Sequence, residues 1–241
     1  MRAETRHSLK QDRFSKATLS AAETTLHWTV EHRKTLIAGA AALVVLVAAG
    51  LGGWFYLQQQ DQKASVDLGK ALRTIETPIR PAGAPAQPDQ PTFPSVKDRS
   101  TEAHKQFQAI IDHYPHTRAS DFARYFAGIT ASDLGDNSGA ERNLKEVASV
   151  HNADLAALGK FALASVYRKT NRDKDAIELY KALIDKPTGT VSKATAQMEL
   201  ADLYHDKQQP QEAKRIYEQI QKENPNTEIA QLAQQKLGEL K

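Results

Sequence analysis

The stretch that decides the fold is "DAIELYKALI" at residues 175–184, in which a small residue, Ala176, precedes a large one, Tyr180, by one helical turn. Nearly the same pairing returns in "EAKRIYEQI" at 212–220 and in "EAHKQFQAII" at 102–111. A pattern that returns at a fixed period of this length indicates a chain built from repeated structural units. Because the paired residues are one helical turn apart, each unit is expected to be helical.

The repeat has a period of 36 or 37 residues and keeps its phase over three full cycles and part of a fourth. A small residue comes first, a large one follows four positions later, and a second large one follows three positions after that. The members of these three sets are Ala103, Ala140, Ala176 and Ala213; Phe107, Leu144, Tyr180 and Tyr217; and Ile110, Val147, Leu183 and Ile220.

A second set of positions repeats in the first half of each cycle. Leu163-Ala164 with Tyr167 matches Leu200-Ala201 with Tyr204, and Ala127-Gly128 with Ala131 occupies the same slots. The turn "YPHT" at 114–117 also recurs, as "NPNT" at 224–227. A proline there ends one helix, and the threonine that follows is a preferred N-cap for the next.

This pattern resembles the tetratricopeptide repeat, in which a small residue lies where two paired helices cross and a large one lies a turn later. The physical reason for the small residue is distance, since helices approach closely only where the side chain between them is small. The resemblance implies an all-α tetratricopeptide-repeat superhelix with a C-terminal capping helix, which closes the end of the stack. A single N-terminal transmembrane helix, predicted from an apolar run, is expected to precede the superhelix.

The cycle predicts eight helices. A capping box of Ser138 and Glu141 is expected at one start, and Pro210 is expected in the first turn of another. The predicted helices cover 99–113, 119–133, 139–151, 155–170, 173–185, 192–206, 210–223 and 227–240.

An apolar run of 22 residues, "LIAGAAALVVLVAAGLGGWFYL" at 36–57, contains no charged side chain. About 20 apolar residues in a helix cross the hydrocarbon layer of a bilayer. The charge of the chain is uneven, because residues 1–35 hold seven Lys/Arg against four Asp/Glu whereas the rest is balanced. By the positive-inside rule this predicts a single-pass protein of the bacterial inner membrane with a cytoplasmic N-terminus and an exported, periplasmic C-terminal domain.

Two alternatives to a membrane anchor are disfavoured by the sequence. A cleaved signal peptide is disfavoured because the run is longer than usual and about 35 residues precede it. A transit peptide is disfavoured because four acidic residues lie upstream. Small residues within the run, Ala48, Ala49, Gly52 and Gly53, would let two such helices form a weak homodimer, although alanine-rich spans contain such pairs by chance.

The predicted domains are therefore a basic cytoplasmic segment (1–35), the span (36–57), a juxtamembrane helix with a Pro-rich stretch (58–98), and the repeat domain (99–241). Six of the ten prolines lie in "TPIRPAGAPAQPDQPTFPSVKD", a composition that favours extended backbone. This stretch is either a tether or a loop inside a first repeat whose first helix carries Leu68-Gly69. The loop is the favoured interpretation.

No motif for catalysis is present, and the chain is predicted not to be an enzyme and to need no cofactor. His113 and His116 straddle Pro115, which prevents them from sharing a helix face as metal ligands. "DLGDNSG" at 133–139 lacks the acids of a calcium loop and is predicted to be a turn. The repeat region has twenty basic and twenty acidic residues, so no basic surface for nucleic acid is expected.

The candidate site is the surface formed by the first helices of the repeats, which line the concave face of such superhelices. In the second and third repeats, the positions of these helices that do not pack within the repeat are apolar at helical spacing. Such a stripe is either part of the core, covered by a neighbouring element such as the 58–77 helix, or an open groove for a peptide. The candidate binding residues are Phe122, Tyr125, Ile129, Leu158, Phe161, Arg168 and Met198.

The order of basic segment, span, "KASVDLGKAL" helix and repeat domain resembles YfgM-type proteins, ancillary subunits of the SecYEG translocon. The resemblance implies a periplasmic chaperone beside the translocon, with the translocon, membrane-bound folding factors or unfolded exported clients as partners. A scaffold for cell-envelope or outer-membrane assembly, which holds one folded partner, is the alternative. The longer N-terminal segment and the Pro-rich insert depart from the family pattern.

Overall fold

The computed structural model describes residues 32–81, 83, 85 and 91–240, and in this part of the chain the fold is all-α. The one pairing of extended backbone there is an isolated bridge between Ile79 and Phe93. The described residues form nine helices, α1 Arg33–Glu76, α2 Val96–His113, α3 Arg118–Asp133, α4 Asn137–Val147, α5 Ala153–Lys169, α6 Asp173–Asp185, α7 Lys193–Asp206, α8 Pro210–Glu223 and α9 Glu228–Glu239.

The chain divides into two compact units, one up to Tyr56 and one from Leu57 to Lys241, and α1 contributes residues to both. In the first unit α1 is long and apolar enough to cross a membrane, with a mean hydropathy of 2.3 over its most apolar window and none of that window buried. The predicted basic segment lies, up to residue 31, outside the described residues.

The second unit is the predicted stack of helical pairs. Consecutive helices from α2 to α9 pack against one another in chain order. The small residues of the repeat and the large residues one turn later are all completely buried, as the packing argument requires: Ala103, Ala140, Ala176, Ala213, Phe107, Leu144, Tyr180 and Tyr217. The predicted packing role of these positions is confirmed.

Two glycines mark the closest helix crossings. A Cβ atom on Gly128 of α3 would lie 2.6 Å from Leu144 Cγ of α4, and one on Gly159 of α5 would lie 2.8 Å from the backbone nitrogen of Ala148. Both distances are shorter than carbon and nitrogen atoms tolerate. The backbones of adjacent helices therefore approach closely only because these positions lack a side chain.

The helix ends agree with the predictions within three residues, with one exception. Helix α4 ends at Val147 rather than at 151, because the chain turns at Ala148 and Asn152 already caps α5. Thr117 and Thr227 are N-caps as predicted. Pro210 is in the first turn of α8.

The predicted capping box of Ser138 and Glu141 is wrong. Asp136 is the N-cap of α4, and its side chain accepts a hydrogen bond from the backbone nitrogen of Gly139 at 2.9 Å. An aspartate is as good an N-cap as a serine, and this one begins the helix two residues earlier. Gly135, with φ of +84°, makes the preceding turn, so the predicted turn between α3 and α4 is present.

Residues 57–76 of α1 form the first helix of the first repeat, paired with α2. Ala64 and Ala71 are completely buried in a cluster with Ala103 and Phe107. Thr74 Oγ1 donates a hydrogen bond to Gln106 Oε1 at 2.8 Å. The segment therefore packs as a repeat helix does.

The two ends of the Pro-rich stretch are joined to each other. The Arg80 nitrogen donates to the Phe93 oxygen at 2.8 Å, and the Phe93 nitrogen donates to the Pro78 oxygen at 3.0 Å. Arg99 also donates to the Thr77 oxygen at 3.1 Å. These bonds join residues 77–80 to residues 93–99, between the end of α1 and the start of α2, and they favour the interpretation of the stretch as a loop within one repeat.

Candidate partner-binding face

The first helix of each pair contributes to one continuous surface, which we call the first-helix face. Its helices are residues 57–76 of α1, then α3, α5, α7 and, at the end, the unpaired α9. Helix α3 contacts α5, Arg168 of α5 contacts Glu199 of α7 at 2.8 Å, and α7 contacts α9. Ala119 of α3 donates its backbone N–H to Asp61 of α1 at 3.2 Å, which joins the first two.

The second and third repeats give this face its apolar character. Phe122 is 39% exposed. Tyr125, Ile129, Leu158 and Phe161 are half-buried and pack against the central hydrophobic cluster. These four side chains therefore lie partly in the core and partly at the surface.

The 58–77 helix does not take part in the cluster that Tyr125 and Phe161 contact. Its residues Leu68, Leu72 and Ile75 pack instead with the cluster of the first repeat. The apolar stripe of α3 and α5 therefore packs against the hydrophobic core of its own repeats.

Two candidate residues have other partners. Met198 is buried and packs in the C-terminal cluster rather than lining the surface. Arg168 is held by α7, since its guanidinium contacts Glu199 at 2.8 Å and Asp206 at 2.7 Å. A cavity of about 360 Å³ lined by Ser165, Arg168 and Lys169 opens beside these ion pairs.

Helix α1 also contributes residues to this face that were not among the predicted binding residues. Aligning Leu68-Gly69 with Ala127-Gly128 places Lys63, Val66, Lys70 and Arg73 in the slots of Phe122, Tyr125, Ile129 and Ser132. All four are exposed, and Val66 is 61% exposed. The signal that could have found them is the repeat register, which assigns these slots as soon as α1 is aligned as a repeat helix.

The opposite end of the face is acidic. Tyr217 of α8 donates a hydrogen bond of 2.5 Å from its hydroxyl to Asp202 of α7. Burial raises the pKa of Tyr217 above its ordinary value, and Asp202, Asp206 and Glu239 raise it further because their negative charges oppose a phenolate. Asp202 therefore contacts the Tyr217 hydroxyl directly, and Asp206 and Glu239 add negative charge at the same end of the face.

The described residues include no group of three His, Asp or Glu side chains that could hold a metal ion. His113 ends α2, where its Nδ1 lies 2.8 Å from the Ala109 oxygen, and His116 follows in the turn. The predicted helix break between these histidines is present.

A family model described as a tetratricopeptide repeat-like domain matches residues 27–181, more than half of the chain. The chain belongs to this family. A second model, the tetratricopeptide repeat, matches residues 195–227. No curated protein matches the chain. Tetratricopeptide repeats are scaffolds for protein–protein interaction. In this chain the repeats follow, in sequence, a helix that is long and apolar enough to span a membrane.

Proposed function

We propose that the protein is a membrane-anchored periplasmic chaperone that works beside the translocon and holds exported polypeptides on its first-helix face. The observation that carries this proposal is the half-buried apolar stripe of α3 and α5. An apolar surface on a soluble domain marks a contact site, and extended polypeptides bind to tetratricopeptide repeats through such surfaces.

The surroundings of the stripe favour contact with apolar segments. Phe122 is the exposed aromatic of the stripe, and the rings of Tyr125 and Phe126 stack edge to face at 5.1 Å, which fixes the Tyr125 side chain. Rigid aromatic side chains lose little conformational entropy on binding. A partner therefore meets a surface that is already ordered.

A binding assay with the full chain in lipid nanodiscs tests the proposal. The ligand is a permanently unfolded model polypeptide, and Phe122→Asp is compared with Val96→Asp, which changes an apolar side chain that is 54% exposed on the second helix α2. Phe122→Asp is expected to weaken binding about tenfold or more, by removing an apolar contact and adding a charge. Equal binding by the two variants would contradict the proposal.

The alternative is a scaffold for cell-envelope or outer-membrane assembly. Such a protein binds one folded partner and has little affinity for unfolded chains. Of the five apolar side chains of the stripe only Phe122 is exposed, and the small apolar area that this leaves open favours a shape-specific contact with a folded partner. In the same assay a scaffold leaves the unfolded polypeptide unbound even with the wild-type protein.

A further inference from the structure

The first-helix face has opposite charges at its two ends. At the α1 end, Lys63, Lys70 and Arg73 project from exposed positions around Val66. Asp67 pairs with Lys70 at 2.8 Å, which leaves an excess of two positive charges among these side chains. The basic residues are spaced seven and three positions apart, so they share one side of the helix.

At the α7 and α9 end the excess is negative. Glu199, Asp202, Asp206 and Glu239 face two cations, Arg168, which bridges Glu199 and Asp206, and Lys236, which lies 3.3 Å from Glu239. These side chains therefore carry an excess of two negative charges. The repeat alignment also places these acids at one end of the face, because Glu239 of α9 and Asp202 of α7 are at equivalent positions of the repeat.

The apolar stripe lies between these charged ends. Packed helices are separated by about 8–10 Å, so the five first helices extend over roughly 32–40 Å. An extended chain covers this length with about ten to twelve residues. One segment of polypeptide is therefore long enough to touch the basic end, the apolar stripe and the acidic end together.

We propose that the first-helix face selects extended polypeptide segments with an apolar centre and an acidic flank, and that it binds them in one orientation, acidic flank toward α1. This inference rests on the proposed function and adds the class of segment and its direction. An acidic flank at the α1 end gains attraction from Lys63, Lys70 and Arg73. The reverse placement brings it against Asp202, Asp206 and Glu239, where like charges oppose binding.

Site-specific crosslinking to the full chain in zwitterionic nanodiscs tests the orientation. A peptide of about twelve residues carries an apolar centre, three aspartates at one flank and neutral residues at the other, with a photoreactive group placed on either flank. The acidic flank is expected to label residues 57–76, and the neutral flank is expected to label α7 to α9. Equal labelling by both flanks, or the reverse pattern, overturns the inference.

The basic residues are tested by charge reversal. The variant Lys63→Glu/Lys70→Glu/Arg73→Glu is expected to bind the acidic-flanked peptide about tenfold more weakly at low salt, equivalent to about 1.4 kcal/mol. The loss should shrink at high salt, because screening weakens contacts between exposed charges. The matched control is Lys97→Glu/Lys105→Glu/Lys174→Glu, which makes the same charge change at exposed positions on second helices.

A peptide with the same apolar centre and neutral flanks separates this inference from the proposed function. If both peptides bind wild-type protein equally and the reversal has no effect, the orientation inference fails and the proposed function stands. If no peptide binds, both fail. If the charge reversal weakens peptide binding only in nanodiscs that contain anionic lipid, the basic side chains bind the membrane surface, and the inference is overturned.

Discussion

At the scale of single residues, the packing of the stack depends most on Gly159 of α5. A Cβ atom at this position would lie 2.7 Å from Val147 Cγ1 and 2.8 Å from the Ala148 nitrogen. A flexible side chain can move away from such a contact, but a helix backbone cannot do so without shifting the helix. The glycine therefore fixes the distance between α4 and α5.

We expect Gly159→Ala to lower the free energy of unfolding by about 1–3 kcal/mol, the usual cost of overpacking. Gly238→Ala is the matched control, because a Cβ atom there meets nothing within 4 Å and alanine is the better helix former. Chemical unfolding of the full chain in detergent, followed by circular dichroism, measures both. Equal stability of the two variants would show that α4 and α5 are not packed at this distance.

Glu141 joins the second and third repeats. Its Oε1 accepts hydrogen bonds from Lys145 at 2.7 Å, Arg172 at 2.8 Å and the Tyr167 hydroxyl at 3.2 Å. These bonds lower the pKa of Glu141 from 4.5 to about 2, and the bond from Lys145 contributes most, followed by the bond from Arg172. Because the carboxylate is favoured more in the folded than in the unfolded chain, its stabilisation is complete above pH 4.5 and disappears as the pH falls toward 2.

The acid sensitivity of the fold should accordingly decrease in Glu141→Gln. We expect the variant to be about 1 kcal/mol less stable than wild type at pH 7, and this difference should shrink between pH 4.5 and pH 2. Urea titrations at a series of pH values measure it. Glu178→Gln, an exposed change on α6, serves as the control. A difference that stays constant across this range would refute the role given to Glu141.

At the scale of helices, the repeat register predicted most of the fold. The positions with complete burial, from Ala103 to Tyr217, follow the period of 36 or 37 residues, and α3 and α9 begin at the threonines of the two Pro-containing turns. The capping box failed because two good caps, Asp136 and Ser138, compete within one turn, and local sequence does not decide between them.

The candidate site was less predictable than the fold. The position of a residue in the repeat predicts whether it faces outward, but the burial of its side chain depends on its neighbours in three dimensions. Met198 lies in the C-terminal cluster for this reason, and Arg168 is held by two acids that lie 31 and 38 residues away in the chain. Lys63, Lys70 and Arg73 were missed because the Pro-rich stretch left the role of α1 undecided.

The role of α1 as a repeat helix predicts that its C-terminal part stays bound after the loop is cut. We expect a chain with a specific protease site inserted at the exposed Gly83 to retain residues 57–76 on the repeats after cleavage, as gel filtration in detergent would show. Ala71→Glu should release the fragment, because it puts a charge in a completely buried position. Val66→Glu, on the exposed side of the same helix, should not. Release of the unsubstituted fragment would favour a tether.

At the scale of the whole molecule, the proposed topology places the repeats outside the cytoplasm. The chain has no cysteine, so single cysteines report the side on which a residue lies. We expect Gln235→Cys to react with a membrane-impermeant maleimide in intact bacterial spheroplasts, and Ser8→Cys to react only after lysis, because the basic segment stays inside. The reverse pattern would place the repeats in the cytoplasm and exclude exported clients.

Photo-crosslinking in native membranes tests the central claim most directly, namely that the first-helix face of an anchored repeat stack contacts polypeptides. A photoreactive amino acid replaces Phe122 or, as the control, Val96 of α2, and the captured proteins are identified by mass spectrometry. We predict that many different exported polypeptides are captured from position 122 and few from position 96. Equal capture from the two positions, or none from position 122, would contradict the account.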